Sequence, residues 1–263
     1  MRAHLVALLA AVLFASACHG APQQAALAPY DPSALPSGAL GEEIRYGREI
    51  VMETRRVLPA DVRVRMDCAA CHIGGGTRPR GGSFIGTYAA FPQWNKRAHR
   101  VIALQDRLAE CFLYSMNGRP PAYSSREMVA LVAYIAWLSR GTPTLATNRA
   151  QSFIETLLSP SPDPSHGAQL YAARCSACHG ANGAGVAASF PPLWGSGSFN
   201  DGAGMAHLDR MTGFVYYNMP QNAPGSLSLR DAQDVAAFVL SHARPKFQGR
   251  VPIFFPAQPA RYF

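Results

Sequence analysis

Two short stretches of this sequence combine thiols and an imidazole at a spacing that suits covalent attachment of a cofactor. Residues 68–72 read Cys-Ala-Ala-Cys-His, and residues 175–179 read Cys-Ser-Ala-Cys-His. In this pattern two thiols form thioether bonds to the vinyl groups of one haem, and the adjacent imidazole binds the iron. The expected cofactor-binding residues are Cys68, Cys71 and His72 in the first copy, and Cys175, Cys178 and His179 in the second.

The N-terminus indicates export. Met1 and Arg2 precede an apolar stretch over 5–14 that is too short to span a membrane. We therefore expect a signal peptide at 1–17 and a periplasmic location. The small residues before Cys18 suit both ordinary cleavage and lipoprotein processing, so a lipid anchor at Cys18 remains open. One motif alone could be a redox dithiol, but two in an exported chain predict two covalently attached haem c groups.

The net charge and the cysteine content limit the kinds of partner that this protein is expected to bind. The 24 Lys and Arg residues outnumber the 16 Asp and Glu residues, which attracts anions. An exported haem protein is not expected to bind nucleic acid. The anionic partners that the charge suggests are therefore small oxyanions and an acidic redox protein. Four of the six cysteines lie in the haem motifs, which leaves Cys18 and Cys111. Cys111 could pair with Cys18; an unpaired thiol would be prone to oxidation in this compartment unless it is used.

The residues around the two motifs repeat, which predicts two domains of one kind. Gly47 to Val51 is echoed by Gly167 to Tyr171, and the first helix is expected at about 42–56. Residues 124–127 and 228–231 both look like capping boxes that open a terminal apolar helix. The order of helix, haem motif, long loop and terminal helix resembles the class I cytochrome c fold. We expect a mainly α chain with two such domains in tandem, each wrapping one haem.

Composition and the repeat together suggest domain boundaries. We expect a flexible tether at 18–40, a first domain at 41–143, a linker at 144–164, a second domain at 165–245 and an extended arm at 246–263.

Met219 is the expected sixth ligand of the second haem. It lies shortly before the terminal helix, where class I cytochromes c place an axial Met whose thioether favours reduced iron. Met205, Met211 and His207 are alternatives that the sequence leaves open. Residues 190–195 resemble the family loop whose proline carbonyl orients the iron-binding imidazole.

The first unit offers two ligands at a similar distance from its motif. Met116 matches Met219 by internal alignment, while Cys111 follows His72 by 39 residues, against 40 between His179 and Met219. Spacing does not separate the two. Chemistry favours Cys111, because a thiolate binds ferric haem strongly and an unused thiol would be oxidised. The nearby cations that could stabilise the thiolate are Arg97, Arg100 and Arg107.

Residues 107–111, Arg-Leu-Ala-Glu-Cys, and 115–118, Ser-Met-Asn-Gly, with Arg97 upstream, closely resemble the thiosulfate dehydrogenases. These diheme cytochromes join two thiosulfates into tetrathionate, and the resemblance spans about residues 47–243. It implies His72 and Cys111 as ligands of a first, catalytic haem, with Arg97 and Arg107 beside the thiol. The second haem would transfer electrons. Some members have Lys before the axial Met, where this chain has Asn218, so a Lys-for-Met ligand exchange is not implied.

The resemblance implies an oxidoreductase that oxidises thiosulfate to tetrathionate, in a reaction that could be reversible, and passes electrons to a soluble or membrane-bound cytochrome c. Two thiosulfate dianions repel each other, so a pocket that joins them must be basic. The guanidinium of Arg suits this purpose because it donates several hydrogen bonds to sulfonate oxygens. As a nucleophile, Cys111 could bond transiently to the outer sulfur of one thiosulfate. Two alternatives remain open: a non-catalytic diheme electron carrier, and a cytochrome subunit of a periplasmic sulfur-oxidising complex.

Overall fold

The computed structural model describes residues 30–145, 161–186 and 189–249. This part of the chain is mainly helical, with one bundle in 30–145 and a second in 161–249. The helices are α1 Ala39–Met52, α2 Thr54–Val57, α3 Ile73–Gly76, α4 Leu104–Glu110, α5 Arg126–Leu138, α6 Pro164–Arg174, α7 Ser176–His179, α8 Leu208–Asn218 and α9 Leu229–Ser241. A short antiparallel hairpin joins β1, Gln93–Asn95, to β2, Arg100–Ile102. Among the helices described, none is both long and apolar enough to cross a membrane.

Each bundle is built on the crossing of two long helices, α1 with α5 and α6 with α9. A glycine lies at each crossing because a side chain would not fit. A Cβ on Gly47 would lie 2.0 Å from the carbonyl oxygen of Ala130, and a Cβ on Gly167 would lie 2.0 Å from that of Asp234. The echo of Gly47 in Gly167 therefore marks the same packing contact in both bundles, as the repeat predicted.

The first helix differs from its predicted range in a way that bears on the haem motif. It begins at Ala39 and is interrupted at Glu53, before the short α2. The hydroxyl of Thr54 donates to the carbonyl of Ile50 at 2.7 Å and accepts from the backbone N–H of Cys68 at 3.0 Å. The interruption thus joins the end of α1 to the first motif.

One predicted helix cap is confirmed and the other is one residue off. Ser228 caps α9, since its Oγ accepts from the backbone N–H of Asp231 at 3.0 Å. In the first bundle the cap is Ser125, whose Oγ accepts from the N–H of Met128 at 3.3 Å. Glu127 is therefore not the third residue of a capping box there. The prediction failed because two serines are adjacent and pattern alone does not choose between them.

Several predicted segments lie outside the described residues: the signal peptide, Cys18, most of the linker and the arm beyond 249. The end of the expected tether is packed, because the ring of Tyr30 lies edge-on to that of Tyr134 at 5.8 Å. The start of the expected arm is packed as well. Phe247 contacts the ring of Tyr114 in the first bundle at 4.8 Å, and its N–H donates to Asp201 at 2.8 Å. The domain boundaries themselves stay predictions.

Asp234 joins the start of α6 to α9. Its buried carboxylate accepts from the N–H of Asp163 at 2.7 Å, from His166 Nδ1 at 3.0 Å and from Arg230 Nε at 3.4 Å. Burial alone would raise the pKa of this carboxyl, but the contacts with Asp163, His166 and Arg230 outweigh it and lower the pKa. A carboxyl whose pKa falls on folding stabilises the protein above its unfolded pKa of about 3.9, and that contribution is lost as pH falls through the lower folded value.

We expect Asp234→Asn to lower the free energy of unfolding by about 2 kcal/mol at pH 7, because hydrogen bonds to a charged acceptor are lost. The variant should also lose less stability than the unchanged protein between about pH 4 and pH 2. Urea unfolding followed by circular dichroism at several pH values measures both effects, with the exposed Glu42→Gln as control. Parallel pH profiles for Asp234→Asn and the unchanged protein would contradict this role.

Candidate haem sites and the cavity between the bundles

The first haem motif holds its imidazole in the state that an iron requires. His72 Nδ1 is bonded to the carbonyl oxygen of Gly82. A carbonyl only accepts, so Nδ1 carries the proton and Nε2 carries the lone pair. Phe84 stacks on the imidazole with ring centroids 4.2 Å apart. Burial lowers the pKa of His72 to about 4, so the ring is neutral at physiological pH.

The second motif follows the same design with a different acceptor. His179 Nδ1 donates to the carbonyl oxygen of Pro191 at 3.0 Å, which confirms the orienting proline carbonyl expected in residues 190–195. Burial lowers the pKa of His179, which keeps this imidazole neutral as well. Within the described residues the motif cysteines form no disulfide. Unpaired thiols beside a neutral, oriented imidazole fit a haem c at each motif.

Cys111 lies near the first motif. It opens a π-helical segment, Cys111–Ser115, that directly continues α4; such segments are frequent at functional sites. Burial raises the pKa of the Cys68 and Cys71 thiols to about 12, and the nearby Cys111 adds to the shift in both. Cys111 therefore lies near the two cysteines that would carry the first haem.

Met116, the alternative ligand, directly follows this π-helical segment. Its side chain is 2% exposed and belongs to the apolar core, whereas Cys111 is half-buried. Two backbone hydrogen bonds stabilise the chain at Met116. Its N–H donates to the carbonyl of Cys111 at 3.0 Å, and its carbonyl accepts from the backbone N–H of Arg63 at 3.1 Å.

Arg107 lies one helical turn before Cys111 and on the same side of the chain. The neighbouring Cys111 is the main influence that raises the pKa of Arg107, against the effect of burial and together with Glu110. The buried Glu110 accepts from Arg107 at 3.4 Å and from Asn95 Nδ2 at 3.1 Å. Glu110 thus holds the guanidinium beside the thiol, a role that the sequence did not indicate.

The other two candidate arginines differ in their surroundings. Arg97 lies between β1 and β2, where its Nη2 donates to the carbonyl of Gly202 in the second bundle at 2.8 Å. Its guanidinium also covers the ring of Tyr114 at 4.2 Å. Arg100 instead pairs with Asp106 at 3.0 Å, and Asp106 accepts from the N–H that precedes α4. Arg100 thus supports that helix end, and its candidacy as a cation near the Cys111 thiol stays a prediction.

A cavity of about 390 Å³ lies where the hairpin, the π-helical segment and the start of α8 meet. It brings both predicted arginines together with cations and aromatic rings from two bundles. Its lining includes the charged side chains of Lys96, Arg97, Arg107, Glu110 and Arg210 and the ring of Tyr114. His207, an alternative ligand in the sequence, lines this cavity at the opposite end of α8 from Met219. Four cations in one cavity suit an anionic ligand.

Met219 follows the last residue of α8 and packs partly buried against the apolar core. The preceding Asn218 is fully buried, and its Nδ2 donates to the carbonyl of Arg80 at 2.9 Å. Arg80 lies two residues before Gly82, the acceptor for His72. Asn218 thus connects the Met219 end of the second bundle with the loop that orients the first imidazole.

Comparison with known proteins identifies both halves of the chain. Residues 61–144 match the family described as SoxA/TsdA, cytochrome c domain, and residues 162–239 match that described as cytochrome c oxidase, cbb3-type, subunit III. The sequence is 42% identical over 236 residues to the thiosulfate dehydrogenase of Allochromatium vinosum, covering 86% of this chain and 87% of that protein. The chain belongs to the thiosulfate dehydrogenase family. Its expected fold of two cytochrome c domains, a fold that carries haem c, is confirmed.

Other members of the thiosulfate dehydrogenase family support this assignment. The enzyme of Stutzerimonas stutzeri is 39% identical, covering 81% of this chain and 71% of that protein. The solved thiosulfate dehydrogenase (TsdBA) from Marichromatium purpuratum has a TM-score of 0.78 at 35% identity and covers 82% of this chain. The present chain spans 49% of that solved chain.

Some functional candidates in this member of the thiosulfate dehydrogenase family were not apparent from the sequence. Lys96 and Arg210 line the cavity but lie far apart along the chain. Neither belongs to a motif or to the internal repeat. Glu110 lies within the stretch 107–111 that carries the family resemblance, and its position three residues after Arg107 suits a helical ion pair, but neither feature indicated its contact with Asn95.

Proposed function

We propose that this protein is a periplasmic thiosulfate dehydrogenase that joins two thiosulfates into tetrathionate and passes the electrons to an external cytochrome c. The observation that carries the proposal is the position of Arg107, which lies beside Cys111 and lines the cationic cavity. The relatives from two organisms that bear the name thiosulfate dehydrogenase support the same substrate. The same residues would serve the reverse reaction when the partner is a reductant.

We assign one covalently attached haem c to each motif. His72 and Cys111 would hold the first iron, and His179 and Met219 the second. The orientation of both imidazoles and the proximity of Cys111 to Cys68 and Cys71 support these assignments. When bound, each haem accepts one electron, so that two haems match the two electrons removed from two thiosulfates.

Arg107 and Arg97 offset the charge of the substrate. Thiosulfate is a dianion, and guanidinium groups bond to its sulfonate oxygens with charge-assisted hydrogen bonds. Because the carboxylate of Glu110 accepts from Arg107 at 3.4 Å, the guanidinium is positioned before the substrate arrives. Arg97 is held by Gly202 and Tyr114 at the boundary of the two bundles.

Cys111 provides the sulfur chemistry. For this step the sulfur of Cys111 would have to be free of the iron. The thiolate Sγ then bonds to the outer sulfur of the first thiosulfate, which gives Cys111 Sγ–S–SO₃⁻ and releases two electrons to the external cytochrome c. The outer sulfur of the second thiosulfate then attacks that sulfur. The bond to Cys111 Sγ breaks, tetrathionate leaves and the thiolate is restored, so atoms and charges balance.

The purified holoprotein, mixed with thiosulfate and ferricyanide, is expected to form one tetrathionate for every two ferricyanide ions reduced. Cyanolysis measures the tetrathionate, and absorbance measures the ferricyanide. A protein whose haems are reduced by dithionite but that forms no tetrathionate would be an electron carrier, and the proposed function would be wrong.

A further inference from the structure

Tyr114 carries a buried hydroxyl that the fold itself does not use. Its side chain is 3% exposed, and its hydroxyl has no hydrogen-bond partner among the residues that the structure describes. Two other buried tyrosines differ in this respect. The hydroxyl of Tyr134 donates to the carbonyl of Gly75 at 2.7 Å, and that of Tyr171 donates to the carbonyl of Gly180 at 2.7 Å. Because a buried polar group without a partner destabilises the folded protein, the hydroxyl of Tyr114 is a candidate for binding a ligand.

Tyr114 lies at the cavity that Arg107 also lines. It is among the groups that raise the pKa of Arg107, so its phenol oxygen lies near that guanidinium. Cys111 has the largest influence on the same pKa, which places Arg107 near the thiol as well. An anion bound to Arg107 in the cavity would therefore lie close to the Tyr114 hydroxyl.

Three contacts fix the ring of Tyr114 in this position. The guanidinium of Arg97 lies over the ring, 4.2 Å from its centroid, and the ring of Phe247 meets it edge-on at 4.8 Å. The backbone of Gly202 is so close that a Cβ there would lie 2.5 Å from the ring. The hydroxyl is thus positioned before a ligand arrives, and a donor that is already ordered loses little entropy on binding.

We propose that the hydroxyl of Tyr114 binds the substrate by donating a hydrogen bond to a sulfonate oxygen of the thiosulfate that Arg107 holds. This inference rests on the proposed function, from which it takes the substrate. A phenol O–H is a donor, and its hydrogen bond to a negatively charged oxygen is stronger than one to a neutral acceptor. A sulfonate has several oxygens, so that one accepts from Tyr114 while another accepts from Arg107. The bound anion supplies the partner that the fold does not provide.

Tyr114→Phe tests the hydroxyl alone, because the substitution removes one oxygen and keeps the ring. We expect it to raise the half-saturating thiosulfate concentration about tenfold, equivalent to about 1.4 kcal/mol, with unchanged haem absorption spectra. Tyr88→Phe makes the same change at a side chain that is 47% exposed, and it should behave as the unchanged protein. Equal half-saturation for Tyr114→Phe and Tyr88→Phe would overturn the inference.

Stability distinguishes this binding role from a structural one. Since the hydroxyl of Tyr114 has no partner among the described residues, Tyr114→Phe should be at least as stable as the unchanged protein when no anion is added. Tyr134→Phe breaks the bond to Gly75 and should be less stable. Urea unfolding of the holoprotein followed by circular dichroism compares the two. A loss of stability in Tyr114→Phe as large as that in Tyr134→Phe would show that the hydroxyl is structural, against the inference.

Sulfate binding separates this inference from the proposed activity. Sulfate offers the same kind of oxygen but has no outer sulfur to react, so calorimetry with the oxidised holoprotein measures binding without turnover. Tyr114→Phe should weaken sulfate binding about tenfold, and Tyr88→Phe should leave it unchanged. Equal affinities, or no sulfate binding by the unchanged protein, would overturn the inference. If sulfate binding depends on Tyr114 but the unchanged protein forms no tetrathionate, the proposed function is wrong and the anion contact stands.

Discussion

Cys111→Gly is expected to lower the rate of tetrathionate formation at least about a thousandfold, while both haems stay attached. The reason is that, in the proposed mechanism, the sulfur of Cys111 bonds to the substrate, and Cys111 lies near Cys68 and Cys71. Haem attachment depends on the motif cysteines and should be unaffected. Cyanolysis measures tetrathionate, and the pyridine haemochrome spectrum counts haem per protein.

Met116→Leu is the matched control for Cys111→Gly. Met116 lies five residues further along, in the apolar core, and Leu has a similar volume without a sulfur ligand. This variant should keep most of its activity. If Met116→Leu abolished turnover and Cys111→Gly did not, the ligand and the catalytic residue would have been assigned to the wrong side chain.

Gly167→Ala is expected to lower the free energy of unfolding by about 3 kcal/mol. A Cβ at this position would lie 2.0 Å from the carbonyl oxygen of Asp234, which belongs to the backbone of α9 and has little freedom to move. The two helices must separate, which disturbs the packing that supports the second haem motif. Chemical unfolding of the holoprotein followed by circular dichroism measures the loss.

Gln169→Ala provides the control for this substitution, because Gln169 is exposed on the same helix. It should change stability by no more than about 0.5 kcal/mol. If Gly167→Ala were as stable as Gln169→Ala, the close crossing of α6 and α9 would not exist in solution.

The features that the sequence predicted well depend on short-range spacing. The residues 68–72 and 175–179 carry their chemistry within five positions, and the glycines at 47 and 167 repeat because both helix crossings have the same close contact. A packing contact that recurs in two domains requires the same residue type at both corresponding positions, and this repetition can be recognised in the sequence. The orienting carbonyl of Pro191 could be expected for the same reason, since its loop has a recognisable local pattern.

The features that could not be predicted depend on packing between distant segments. By its position in the sequence, Arg100 was as good a candidate as Arg107 for a cation beside the Cys111 thiol. Its ion pair with Asp106 is apparent only in the three-dimensional structure. Arg210 lines the cavity at a place where Gly202 allows the second bundle to approach the ring of Tyr114 closely. No local pattern encodes such a contact between bundles.

Low-temperature EPR of the fully oxidised holoprotein tests the central assignment most directly, since it reports the ligands of each ferric iron. We predict one low-spin signal of the His/thiolate type and one of the His/Met type. In Cys111→Gly the His/thiolate signal should disappear and the His/Met signal should remain. Two His/Met signals in the unchanged protein, both retained in Cys111→Gly, would contradict the assignment of Cys111 to the first haem.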